Sequence, residues 1–563
     1  MKFFSSQISY FISNKNTKVN IARLLKFLVV LVALISIYGV LFHIIMEREG
    51  QDHSWMTGFY WTLVTMSTLG FGDITFTSDL GRFFSMVVLG SGILILLIML
   101  PFTFIEFFYA PWMEAQSRAR APKELPPTTK NHVIITRFDP ITKSLVEKLI
   151  QYQKEYVLLV PDLTEALELY DDGYKVMVGE PDDPETYKKL QVHQAALVVT
   201  NGTDMFNTNV AHTIRENNPH IKIVATANSH DSIDILKLAD CDHVLHMGNL
   251  LGRALSRRIL GQDARVHTIG RLGEIIIGEA TAYETPLVGK TLRESQLREK
   301  TGINIVGIWE RGQFLGAHPD TLIHEYSVIM MAGSVDQLRN YDELFGIYGI
   351  SEEPVIIIGG GRVGRAAAHH LKRRNIKFKI IDKNPDRILN DHNFVLGDAN
   401  DINTLKKAGI DTAHSVIIST NQDDINIYLT IYCRHLRPNI HIVARSTLER
   451  NVRSLHRAGA DFVMSYANMG ANAIFNIYEE NDIIMIAEGL NVFSLKTPPK
   501  IAGKTMIEAN IRHNTGCSVI AYTRDGEQII NPDPTLPIPV NSDLVLIGET
   551  KAEEKFIKMY GEV

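Results

Sequence analysis

Two short glycine-rich stretches carry residue types and spacings that could do chemistry. The first is Thr68-Leu69-Gly70-Phe71-Gly72-Asp73. Alternating glycines let the backbone turn successive carbonyl oxygens toward one axis, where they would replace the hydration shell of a dehydrated potassium ion. The second is Gly359-Gly360-Gly361-Arg362-Val363-Gly364, with Asp382 and Lys383 further on. There Gly359 would make a tight turn, Gly361 would let the backbone approach a pyrophosphate, and Gly364 would permit close helix–strand packing. Asp382 would accept ribose hydroxyls, which favours NAD or ADP over a ligand carrying a 2′-phosphate. Arg387 could pair with a phosphate or stack on the base, or simply be a solvated helix residue.

The first motif needs a membrane around it. Apolar runs flank it, Phe27 to Ile45 and Phe83 to Ile105, and each can supply the roughly 20 helical residues that cross a bilayer core. Between them an amphipathic segment, Ser54 to Ser67, precedes the glycines. Irregular backbone at membrane depth persists only where it lines a cavity, so the expectation is a potassium-selective pore with K+ held at Thr68, Leu69, Gly70 and Phe71. Asp73 would raise the local cation concentration. The second run contains Gly90, Gly92 and Pro101. The glycines either allow bending or serve close helix packing, and Pro101 predicts a second break and a segmented inner helix. Lys2, Lys15, Lys18, Arg23 and Lys26 precede the first run, and Arg118, Arg120 and Lys123 follow the second. This bias predicts a multi-pass inner-membrane protein with both termini cytoplasmic.

The second motif needs a parallel sheet. Strand-like Val355–Ile358 enters the glycine turn, Arg365–Arg374 is helical, and Phe378–Ile381 leads to Asp382. The helix N-terminus would supply N–H donors and positive potential for phosphate. The remainder of the chain contains the same unit twice. Leu197-Val198-Val199-Thr200-Asn201 pairs with Val416-Ile417-Ile418-Ser419-Thr420-Asn421, and Lys222-Ile223-Val224-Ala225 with His441-Ile442-Val443-Ala444. Val288-Gly289-Lys290-Thr291-Leu292 pairs with Ala502-Gly503-Lys504-Thr505-Met506. Each repeat therefore has a doubly wound α/β lobe and a smaller α+β lobe. The expected divisions are a pore domain over 1–112, a charged, proline-rich linker over 113–130, first-repeat lobes over 131–262 and 263–348, and second-repeat lobes over 349–480 and 481–563.

At 563 residues the chain suits three or four domains, and its 45% hydrophobic content and net charge of −6 average an apolar beginning with a soluble remainder. Cys241, Cys433 and Cys517 are the three cysteines; so far apart, they point to a reducing cytosol without a disulfide framework or metal cluster. No nucleic-acid partner is expected.

The hexad Thr68–Asp73 resembles the potassium-channel filter TVGYGD, with Leu69 for Val and Phe71 for Tyr. The order span, pore helix, filter, span is similar to two-transmembrane potassium channels, and residues 130–563 resemble tandem RCK domains (TrkA-N plus TrkA-C). The resemblance implies a ligand-gated prokaryotic channel. Its fold would be an α-helical two-transmembrane pore domain plus two tandem α/β RCK domains, with Rossmann-like N-lobes and small α+β C-lobes. It also implies a homotetramer in contact with membrane lipids, with eight RCK domains in a gating ring, and a gating glycine at Gly90 or Gly92. An adenine nucleotide would lie with its base by Asp398 and Ala399 and its phosphates near Thr420 and Asn421.

The first repeat departs from this pattern. Thr136, Phe138 and Ile141 stand at the glycine positions, so no dinucleotide is expected there in the usual pose, although Arg137 could contact a smaller anion. Calcium is a further ligand the resemblance suggests, but Thr226 and Asn228 replace the acids of calcium-activated relatives and only Asp204 is retained, so no site is identified. Two rival readings stay open. One is a membrane-anchored NAD-dependent oxidoreductase, for which no convincing acid/base constellation is found, so an enzyme is not expected. The other is a regulatory subunit of a potassium transporter, which leaves the filter unexplained.

Overall fold

In the computed structural model, residues 15–109, 122–259, 264–348, 353–387, 392–479, 483–485, 490–524 and 527–560 are described. The chain divides into two compact units, Met1–Pro122 and Lys123–Val563. The basic residues Lys2, Arg118 and Arg120 and much of the expected linker lie outside the described residues.

In the first unit, α1 (Lys15–Arg48), α2 (Trp55–Met66) and α3 (Asp79–Gly92) meet on aromatic side chains. Ser54 caps α2 through the Thr57 N–H, and Ser78 caps α3 through the Gly81 N–H; such caps satisfy donors that the first turn leaves over. Phe42, Trp61, Phe76 and Phe84 form the buried centre, with Trp61 stacked on Phe84 at 5.7 Å between ring centroids. Glu49 accepts hydrogen bonds from the Thr77 N–H and hydroxyl, both at 2.8 Å, and so ties the end of α1 to the turn before α3. Two stretches, Leu25–Arg48 and Asp79–Thr103, are long and apolar enough to cross a membrane, with a mean hydropathy of 2.7 each.

Around Pro101 the inner helix is segmented by changes of helical register, without loss of helix. Beyond α3 the chain stays helical through a π segment (Ile93–Met99), an α turn (Leu100–Phe104) and a second π segment (Ile105–Tyr109). Leu100 keeps helical angles, φ −64° and ψ −50°, and its N–H reaches back to the Ile95 carbonyl. A proline breaks an α-helix because it lacks an N–H and crowds the carbonyl four residues back. Pro101 falls in the α turn between the two π segments, where the hydrogen-bond register changes.

The second unit holds four sheets. The first is parallel: β1 (Val133–Ile135), β2 (Tyr156–Val160), β3 (Val176–Val178), β4 (Leu197–Thr200), β5 (Ile223–Ala227) and β6 (His243–His246), in the order β3-β2-β1-β4-β5-β6. An antiparallel sheet follows, comprising β7 (His267–Leu272), β8 (Ile275–Thr281), β9 (Asn304–Glu310), β10 (Gln313–Gly316) and β11 (Val328–Gly333). The plan then repeats. A parallel sheet ordered β14-β13-β12-β15-β16-β17 comprises β12 (Val355–Ile358), β13 (Phe378–Asp382), β14 (Phe394–Leu396), β15 (Ser415–Ile418), β16 (His441–Ser446) and β17 (Phe462–Ser465). The last, antiparallel, comprises β18 (Ile483–Met485), β19 (Leu490–Lys496), β20 (Ser518–Arg524), β21 (Glu527–Ile530) and β22 (Asp543–Glu549). Central strands such as Val355–Ile358 and Leu197–Thr200 are buried along their whole length, as parallel strands covered on both faces must be. In both parallel sheets the order reverses next to the first strand, and that switch point leaves a crevice at the strand C-termini.

The two repeats exchange helices. The first parallel lobe opens with α4 (Pro140–Gln151) and ends with α5 (Met247–Arg257); the second opens with α6 (Arg362–Arg373) and ends with α7 (Tyr466–Tyr478). Each terminal helix packs on the opening helix of the other repeat. Gly252 of α5 is so close to α6 that a Cβ there would lie 2.6 Å from the Ala366 Cβ, and one on Gly470 of α7 would lie 2.8 Å from Ile141 of α4. Leu251 and Leu255 share a core with Val363, Ala367 and Leu371, while Ala471 and Phe475 share one with Leu145.

A buried polar contact adds to this join. On α8 (Thr550–Tyr560), Glu553 accepts from the Tyr152 hydroxyl at 3.0 and 2.9 Å and from the Asn491 amide at 2.8 Å. Burial raises the Glu553 carboxyl above its ordinary value against the pull of these donors.

Candidate functional site

Every second residue of the first motif is left-handed: Thr68 has φ 64°, Gly70 49° and Gly72 72°. Alternating handedness turns successive carbonyls to the same side, the arrangement a ladder of oxygen ligands requires. For Thr68 this conformation is costly without local support. The support comes from α2, where Thr65 and Val64 carbonyls accept the Thr68 and Leu69 N–H groups, both at 3.1 Å. From the same helix the Tyr60 hydroxyl donates to Asp73 at 3.1 Å. A hydroxyl therefore braces the motif although Phe71 has none.

The two glycines of the inner helix differ. A Cβ on Gly92 would lie 2.3 Å from the Met66 carbonyl oxygen, whereas one on Gly90 would meet nothing within 4 Å. Gly92 is a close-packing residue that seats α3 against the end of α2.

At the crevice of the second parallel lobe the chain encloses a cavity of about 340 Å³, within the range of small-molecule sites. Gly359, Gly361, Arg362, Val363, Asp382, Lys383, Arg387, Asp398, Ala399, Thr420 and Asn421 all line it. Gly364 lies behind the wall: a Cβ there would stand 1.9 Å from the Gly359 carbonyl oxygen, so this helix–strand approach requires glycine. Gly359 has φ 103°, which favours glycine, and its carbonyl accepts from the Ser419 hydroxyl at 3.0 Å. Gly361 caps α6, and a Cβ there would meet nothing within 4 Å. The helix thus presents its first-turn N–H groups to the cavity with no side chain in the way. Asp382, buried at the end of β13, accepts the Gly360 N–H at 2.7 Å, the Asn384 N–H at 2.8 Å and Arg387 at 3.4 Å. Arg387, open in the sequence between a phosphate or base contact and a solvated helix residue, lines the cavity while ion-paired with that carboxylate.

Other lining residues were not foreseen. Asn228, Met247 and Gly248 come from the first repeat. Arg362 donates to the Asn228 carbonyl at 3.2 Å and to its side-chain oxygen. Arg445, at the end of β16, lies over the Tyr466 ring with 5.3 Å between guanidinium and centroid. Its Nε is buried without a hydrogen-bond partner, and among the described residues no carboxylate pairs with it. The repeat comparison carried a signal here, since Thr226 occupies the matching place: Asn207 donates to the Thr226 carbonyl at 2.7 Å as Asn426 does to that of Arg445 at 2.9 Å. The first-repeat residues carried none, because the helix exchange that brings them in is not local.

In the first repeat, side chains occupy the corresponding turn. Ile141 is buried under α7, Phe138 stands edge-on to Tyr174 at 5.1 Å, and Asp139 caps α4 through the Thr142 N–H. Arg137 is exposed. Asp204 accepts the Asn228 N–H at 2.7 Å and the Ser229 N–H at 3.1 Å, so its oxygens organise a loop. Among the described residues no three metal-ligating side chains gather.

Comparisons with known proteins cover the whole arrangement. Residues 29–109 match the ion channel family, residues 133–247 and 355–466 the TrkA-N domain, and residues 279–346 and 492–561 the TrkA-C domain. A solved structure of the GsuK channel bound to NAD is 38% identical, covering 96% of this chain and 99% of that one, with a TM-score of 0.59. The chain belongs to the potassium channels that carry tandem RCK domains. A structure of the GsuK RCK domain is 36% identical over 80% of this chain and 99% of its own, with a TM-score of 0.58. "Probable potassium channel protein 2" of Methanocaldococcus jannaschii is 29% identical over 332 residues, 56% of this chain and 94% of that protein. This RCK channel is a membrane protein, and its two apolar stretches are long enough to span a bilayer.

Proposed function

We propose that the channel conducts potassium through a filter assembled from residues 68–73 of four chains, and that an adenine nucleotide in the second-repeat cavity controls it. The observation that carries the first half is the alternation of left-handed backbone at Thr68, Gly70 and Gly72. One chain supplies one wall of such a filter, so a closed ring of identical chains is needed, and four-fold symmetry supplies it. Both termini then lie in the cytoplasm, with eight RCK domains in a gating ring.

The second half is supported by a cavity whose glycine turn, helix N-terminus and buried Asp382 suit a diphosphate and a ribose. GsuK, the relative similar over nearly its whole length, has been solved with NAD. Because residues of both repeats line the cavity, a ligand there touches two lobes at once. If it fits one relative orientation of the lobes better, its differential affinity shifts their equilibrium, and the linker 113–130 passes that shift to the inner helix.

The test is flux from liposomes holding the purified full-length protein, with ADP or NAD at the cytoplasmic face. Potassium flux exceeding sodium flux and altered by nucleotide is the expected result. Equal fluxes overturn the filter, and indifference to both nucleotides overturns the cavity's role.

A further inference from the structure

The lining of the second-repeat cavity extends beyond the glycine turn and Asp382 to Arg445. In the strand order β14-β13-β12-β15-β16-β17, Asp382 closes β13 on one side of the glycine turn and Arg445 is the penultimate residue of β16 on the other. An adenosine anchored by its ribose on Asp382, with its first phosphate on the α6 N-terminus, therefore points its remaining part toward Arg445. A guanidinium that is half-buried, unpaired with any carboxylate among the described residues and lodged on a tyrosine ring is costly unless something anionic compensates it. Asp423 favours the Arg445 charge without forming an ion pair with it, its oxygens accepting from the Thr447 and Leu448 N–H groups at 2.7 and 3.0 Å and from Asn451 at 2.7 Å. In the first repeat, where side chains fill the turn, the same place holds the neutral Thr226. The charge thus accompanies the open cavity and is absent where the turn is filled.

We infer that Arg445 selects the ligand by its second anionic group, so that the cavity prefers nucleoside diphosphates and dinucleotide diphosphates to monophosphates. This rests on the reading of the cavity as an adenine-nucleotide site. A charge-assisted contact of this kind is worth about 10- to 100-fold in affinity.

The experiment is calorimetric titration of the full-length channel in detergent with AMP, ADP and NAD, for the natural protein and for Arg445→Gln, Arg445→Met and Arg445→Lys. The result expected is that Gln and Met variants lose about 10- to 100-fold for ADP and NAD, keep their AMP affinity, and so lose the preference. The Lys variant keeps most of it. Unchanged ratios in the Gln and Met variants overturn the inference while leaving the nucleotide site standing. Equal weakening of all three ligands also overturns it, because the residue is then a scaffold. Failure of the natural protein to bind any of the three overturns the site itself. The Met variant keeps an apolar stem over Tyr466, and the Lys variant also keeps the charge, so the ratios are measured on whichever variants elute as the natural assembly.

Discussion

Gly361 and Gly364 sit one helical turn apart and answer opposite demands. Gly361 faces open space, so Gly361→Asp should fold normally. It sets a carboxylate where a phosphate would bind, and nucleotide affinity is expected to fall by on the order of 100-fold in calorimetry while basal conduction persists. Gly364→Ala forces a methyl into the Gly359 carbonyl, and a loss of roughly 1–3 kcal/mol or more, read as a lower midpoint of thermal unfolding, is expected. Glu553 supplies a pH test. Its folded-state pKa is raised by burial, so the folded chain binds the proton more tightly than the unfolded one. Its contribution is therefore fully present below the unfolded carboxylate pKa and is lost as pH rises through the folded one. Glu553→Gln should flatten that part of the profile, measured as unfolding midpoint against pH. At this scale the sequence was legible wherever function is local. The glycine turn and Asp382 could be read because turn, helix and strand follow each other directly. Arg445 was open only to the repeat comparison, through its match to Thr226, because the crevice is completed by strands far apart in the chain.

The inner helix shows what an element hides. Gly90 and Gly92 read alike, as bending points or as close-packing residues, and packing separates them. Gly92→Ala drives a methyl into the Met66 carbonyl at the end of α2, which holds the filter through Val64 and Thr65. Loss of potassium conduction or selectivity is the expected outcome in bilayer recordings. Gly90→Ala, with room for the methyl, should still conduct, and any change should appear in open probability alone. The positions of the helices were legible from the two apolar runs and the amphipathic segment between them. The π register was not, because it preserves composition and hydropathy and changes only which carbonyl each N–H finds.

The molecule as a whole was legible as a duplication, since paired motifs such as those ending in Thr200-Asn201 and Thr420-Asn421 recur in order. Mass measurement of the detergent-solubilised channel should give four chains; a dimer would be incompatible with the filter. The exchange of α5 and α7 was invisible in the sequence, because an apolar helix face does not name the surface it covers. It also explains why a repeat whose turn is blocked by Phe138 and Ile141 is still there. Its body is the counterpart on which the sensing repeat closes its own interior, so neither half is a removable module. Damage to the silent half should masquerade as deafness to nucleotide. A fragment beginning after residue 350 would carry α6 and α7 with their companions missing, and should seek them in a second copy of itself.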